Sequence, residues 1–171
     1  MVKRGLVSAL FGLVLAGTAG AVEVSVFELS GSWRGTGMVR PEPDKRLREG
    51  RCRLEIEAVS GDSDVRLQGR CATDLGATAL TIQFERRDGG VIAGAMASPS
   101  LPETLQFLGK AAGDRLTMQT RAPFQAGDMI GHARFTLTLG AGDSFDLVEY
   151  FQPQDGAEVE IVRMHFVKTS Q

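Results

Sequence analysis

Polar and apolar residues alternate one by one over several stretches of this chain. Leu54, Ile56 and Ala58 are separated by Glu55 and Glu57, Leu80, Ile82 and Phe84 by Thr81 and Gln83, and Phe135, Leu137 and Leu139 by Thr136 and Thr138. Successive side chains on a strand point to opposite faces, so a period of two predicts strands with one buried and one wet face. Phe145, Leu147 and Phe151 carry the pattern toward the C-terminus. Turn chemistry falls between the runs: Ser60-Gly61-Asp62-Ser63, Asp88-Gly89-Gly90, Ala112-Gly113-Asp114, Gly140-Ala141-Gly142-Asp143 and Gln154-Asp155-Gly156. No long stretch has a helical period; Asp44 to Glu49 has room for one turn, with Asp44 as its N-cap. About eight to ten strands joined by tight turns, without crossover helices, predict an all-β, up-and-down antiparallel barrel, whose closure removes the exposed sheet edges. A two-sheet sandwich is the alternative that the same pattern allows.

Two hairpins carry enough sequence to fix a register. A turn centred between Gly61 and Asp62 sets Ala58 opposite Val65, Ile56 opposite Leu67 and Cys52 opposite Cys71, so the apolar face and the cysteines agree. A four-residue loop is favoured, since it makes the cysteines a non-hydrogen-bonded pair, in which side chains are closer. The same register sets Glu57 against Arg66 on the wet face. In the last hairpin, Glu149 opposite Ile161, Leu147 opposite Arg163 and Phe145 opposite His165 places Glu149, Arg163 and His165 on the apolar face. Val162, Met164 and Phe166 are apolar on the other parity, which calls for a bulge near Ile161.

The N-terminus adds a compartment. Lys3 and Arg4 precede an apolar run from Leu6 to Leu15, and Ala19-Gly20-Ala21 offers small residues for cleavage. This reads as a secretory signal peptide over residues 1–21, leaving a single domain over 22–171 in the periplasm or outside the cell. No later apolar run is long enough to span a bilayer, so the mature chain is expected to have no stable membrane span. An oxidising compartment favours a disulfide between Cys52 and Cys71 over a metal site, closing a loop with about 3 kcal/mol of stabilisation on the chain-entropy model. The formal net charge is −2 with the signs interspersed, which argues against a nucleic-acid partner. The basic run Lys45, Arg46, Arg48, Arg51 and Arg53 is broken by Asp44 and Glu49 and reads as a solvated loop, with contact to an anionic partner as the lesser reading.

Chemistry is sparse. The stretch Gly31-Ser32-Trp33-Arg34-Gly35-Thr36-Gly37 puts the only tryptophan and three glycines on one strand face. Strand glycines mark a bend or a close approach, and a large aromatic is normally core, so this reads as a first strand coiling around a plug. The stretch resembles the G-x-W opening of lipocalin-like (calycin) barrels, and its G-x-W-x-G-x-G form is similar to nitrobindin-type haem barrels. The lipocalin resemblance implies that Trp33 plugs the barrel floor and that an arginine from a late strand, here Arg163, packs over it. The nitrobindin haem histidine has no counterpart in Gln154 to Val159, so the resemblance brings no haem site.

No catalytic motif, metal cluster or cofactor fingerprint occurs, and no enzyme activity is assigned. His132 near Asp128 has no specific spacing. The leading expectation is therefore a barrel that binds a small apolar or amphipathic ligand inside, with Trp33, Glu149, Arg163 and His165 as candidate contacts. A Glu149 to Arg163 ion pair near the floor is the structural reading of the same residues. The alternative function is a periplasmic inhibitor or interaction module that meets a protein partner through its loops. Phe124, Met129 and Ile130 would form its lid or docking patch, and Ser98 to Glu103 is the other loop expected at the barrel mouth.

Overall fold

A computed structural model describes residues 25–169. The leader read over residues 1–21 and its cleavage after Ala21 lie outside the described residues. A short 3-10 turn, Val26–Glu28, precedes eleven strands: β1 (Gly31–Val39), β2 (Arg48–Ser60), β3 (Asp64–Thr73), β4 (Gly76–Arg86), β5 (Val91–Ala97), β6 (Leu105–Ala112), β7 (Arg115–Thr120), β8 (Phe124–Ala126), β9 (Met129–Gly140), β10 (Ser144–Pro153) and β11 (Val159–Lys168). Except for β7 and β8, which both pair with β9, neighbours in sequence pair antiparallel, and β11 pairs back onto β1, so the sheet closes on itself. β8 continues the line of β7 along β9, which makes the structure a closed up-and-down barrel of ten strands. The sandwich alternative is thereby removed.

The alternating residues point as the pattern requires. Leu54, Ile56, Phe84, Phe135, Leu137, Phe145 and Phe151 are buried in the interior, while Glu55, Glu57 and Glu85 are exposed. In the first hairpin Cys52 faces Cys71, Ile56 faces Leu67 and Ala58 faces Val65. The loop differs from the expected four residues: Ser60 pairs with Asp64, leaving three loop residues, and a register shift at Val59 absorbs the odd one. Glu57 and Arg66 are opposite each other without closing into an ion pair. No helical turn forms after Asp44. Pro41 to Lys45 make a loop turn, closed by Lys45 N–H donating to the Glu42 carbonyl at 3.0 Å, and β2 has already begun at Arg48.

The disulfide Cys52–Cys71 joins β2 to β3 with Cα atoms 4.1 Å apart, the close spacing of a non-hydrogen-bonded pair. Replacing both cysteines with serine is expected to cost about 2–3 kcal/mol in urea unfolding while the far-ultraviolet circular dichroism stays that of the barrel. The ladder on either side, rather than the bond, sets the register.

One end of the barrel is sealed. Val26 and Phe27 of the 3-10 turn are buried there, and the Arg86 guanidinium lies 4.7 Å from the Phe27 ring centroid. Trp33 fills the adjoining interior, its ring 5.0 Å from Phe145, which stacks on Phe166 at 4.6 Å. The glycines beside Trp33 serve a close approach. A side chain at Gly37 would collide with the backbone of Arg163 and Met164, and one at Gly35 with the Phe166 ring. The bare face of β1 thus lets β11 close the barrel against it.

Candidate functional site

The end opposite Trp33 is less completely filled. A cavity of about 240 Å³ lies above the Phe145 and Phe166 rings, bounded by Leu54, Leu80, Ile82, Met96, Leu147 and Met164 among others. These residues come from the inward rows of separate strands, which is why no local stretch of sequence announces the site. The loop after β5 contributes Ser98, Ser100 and Leu101 to its wall. Hydroxyls hold that loop in place: Thr78 Oγ1 is 3.1 Å from Ser98 Oγ, which is 2.9 Å from Ser100 Oγ. The disulfide lines the same cavity.

Glu149 is the one ionisable side chain in this lining. It sits on the inward row of β10, opposite Phe135 on β9 and Val162 on β11. Among the described residues no cation lies within ion-pairing distance of it. Glu149 is half-buried, and desolvation by the apolar wall without a counter-charge disfavours the carboxylate and pushes its carboxyl up to about 7. The cavity therefore presents largely apolar walls, a few hydroxyls at the loop after β5, and a single ionisable group that donates and accepts hydrogen bonds when protonated and carries one negative charge when it is not.

Arg163 and His165 are not beside it. The last hairpin pairs Phe145 with Phe166, Leu147 with Met164 and Glu149 with Val162, then Tyr150 with Glu160, so Ile161 is the extra residue of a bulge. The bulge falls at the position expected from the competing apolar parities. Its consequence corrects the register read from the sequence: Val162, Met164 and Phe166 face inward, and Arg163 and His165 face outward. Arg163 Nε donates to Glu160 Oε1 at 3.1 Å, and His165 Nδ1 lies 2.8 Å from Asp146 Oδ1, both on the outer wall. The Glu149 to Arg163 ion pair does not form.

Arg163 is likewise not the residue over the tryptophan. Lys168, opposite Trp33 in the β1–β11 ladder, places its Nζ 5.8 Å from the Trp33 ring centroid and 3.9 Å from Asp143 Oδ1. A lysine thus takes the place given to a late-strand arginine, because the bulge shifts parity along β11. Trp33 itself lies beneath Phe145 and does not line the cavity.

The expected lid residues are dispersed. Phe124 is buried edge-on against Phe151 at 5.6 Å, Met129 is half-buried, and Ile130 is 52% exposed on the outer side of β9. None of the three lines the cavity, whereas Ser98 and Leu101 of the other expected mouth loop do. One polar residue was missed. Arg48 lies on the inward row of β2 at the same end, bonded to Asp74, with its Nε buried and unpartnered among the described residues. In sequence it is indistinguishable from its solvated basic neighbours Arg46 and Arg51.

No helix among the described residues is long and apolar enough to cross a membrane, and no cluster of potential metal ligands occurs among them. Comparison of the chain with protein-family models and with curated proteins gives no match. The architecture agrees with that of a calycin-like barrel; beyond architecture, function must be argued from the cavity.

Proposed function

We propose that this protein is an exported barrel that binds a small amphipathic ligand in its interior, with Glu149 as the polar anchor. The observation that carries this reading is the apolar cavity of about 240 Å³ interrupted by one uncompensated carboxyl group. Placing a titratable group in an apolar wall costs stability, and no ion-pair partner among the described residues offsets it. A ligand head group that donates a hydrogen bond or carries a positive charge would. Size limits the ligand: an apolar cavity of about 150 Å³ admits benzene, so this one suits a single ring or short acyl chain bearing one polar group. Drug-sized sites begin at about 300 Å³. The cross-strand disulfide is compatible with an extracellular setting, in keeping with the leader read from the sequence.

Native mass spectrometry of protein purified from its producing cells tests the reading. The expected result is a retained small molecule in a one-to-one ratio, lost or sharply reduced in Glu149→Leu. Recovery of a stoichiometric protein partner with an unoccupied barrel would instead favour action through the outer surface.

A further inference from the structure

The outer wall of β1, β2 and β3 bears a feature of opposite chemistry. Arg34 lies directly across from Arg53, and Arg53 directly across from Arg70, forming one row over three adjacent strands. Arg51 stands in the next row, between Thr36 and Ala72. Side chains opposite each other in antiparallel strands have Cβ atoms about 5 Å apart, and like charges there repel. All four arginines are exposed. None of them forms an ion pair with any described residue.

The surroundings supply little countercharge. Val167 flanks Arg34 on β11 and Ala79 flanks Arg70 on β4. The row on the far side is Ser32, Glu55 and Gln68, and its single carboxylate already accepts a hydrogen bond from Ser32 Oγ at 2.9 Å. Gly35, Thr36 and Ala72 leave the floor between the guanidinium groups open, making a surface groove of about 440 Å³. Glu49 and Glu55 flank Arg51 and Arg53 along the outer face of β2, and neither forms an ion pair with any of the four arginines.

We propose that Arg34, Arg53, Arg70 and Arg51 form a binding site for a multiply charged phosphate-type oxyanion. Guanidinium forks match phosphate oxygens two at a time, and four of them on a grid of about 5 by 7 Å exceed what one carboxylate could satisfy. Pyrophosphate-like groups of a soluble ligand and phosphates clustered on a lipid surface share this chemistry. The site is independent of the interior cavity, on the other side of the sheet.

Titration calorimetry with sodium pyrophosphate at low ionic strength, and sedimentation with phosphatidylglycerol vesicles against phosphatidylcholine vesicles, test it. Wild-type protein is expected to bind at least one of the two probes, with affinity falling as salt rises. Arg53→Thr should weaken binding about tenfold or more, and Arg121→Ala, an exposed arginine elsewhere, should leave it unchanged. Threonine suits a strand and relieves the repulsion, so Arg53→Thr should fold; Arg70→Thr provides a second reading. Pyrophosphate binding alone assigns a soluble ligand, and selective vesicle binding alone a lipid-borne one. Absence of both, or equal binding by Arg53→Thr, Arg70→Thr and wild type, overturns the proposal.

Discussion

Replacing Trp33 with alanine is expected to lower folding stability by about 3–5 kcal/mol, read from urea unfolding. The indole is 2% exposed and packs on Phe145 at 5.0 Å, and Phe145 in turn supports the Phe166 ring under the cavity. Removing it opens a void that neighbouring strands cannot collapse into, since the closed ladder fixes their separation. One part of the side chain works against the fold: its Nε1 is buried with no hydrogen-bond partner among the described residues. Trp33→Phe removes that orphaned donor and keeps most of the packing, so it should cost well under half as much as the alanine change. Equal losses in the two variants would show that the indole's size is not what closes this end.

Glu149→Gln is expected to stabilise the protein at pH 8, by at most about 3 kcal/mol, and to change little at pH 4. The sign follows from the direction of the shift. The carboxyl titrates near 4.5 when the chain is unfolded and at about 7 in the folded barrel, so between these values the folded state holds a proton that the unfolded state has released. Stability contributed by this group is complete below pH 4.5 and declines as pH rises toward 7, beyond which the cost of a desolvated carboxylate remains. Stability curves for wild type should thus fall over that window and those for Glu149→Gln should be flatter there. Parallel curves would mean that the carboxyl is solvated through the cavity. A ligand that compensates Glu149 should restore stability above pH 7 in the wild type alone.

Much of the frame was legible because it rests on local pattern. The alternation in Leu54 to Ala58 and in Phe135 to Leu139 identified both strand and inward face, and the turn at Gly61 brought Cys52 opposite Cys71 within one hairpin. Hairpin neighbours are close in sequence, so an error of one residue in the loop could be absorbed at Val59 without disturbing the pairs above it. The candidate site was less legible. Glu149 was picked out as a charge on an apolar face, and it does line the cavity. Arg163 and His165 were placed beside it by a register that ignored the expected bulge, and a single extra residue in a strand turns every later side chain over.

The chain by itself determined an all-β fold, the inward rows of most strands, the first hairpin register with its disulfide partners, and the need for an irregularity near Ile161. These follow from period-two alternation and turn residues, which act over a few neighbours. Only the tertiary structure decided which parity β11 adopts, that Lys168 rather than Arg163 covers Trp33, how much interior volume the aromatic side chains leave, and that Arg34, Arg53 and Arg70 stand in one row. Each depends on the register between strands or on the packing of side chains from several strands at once. Closing the barrel sets those relations.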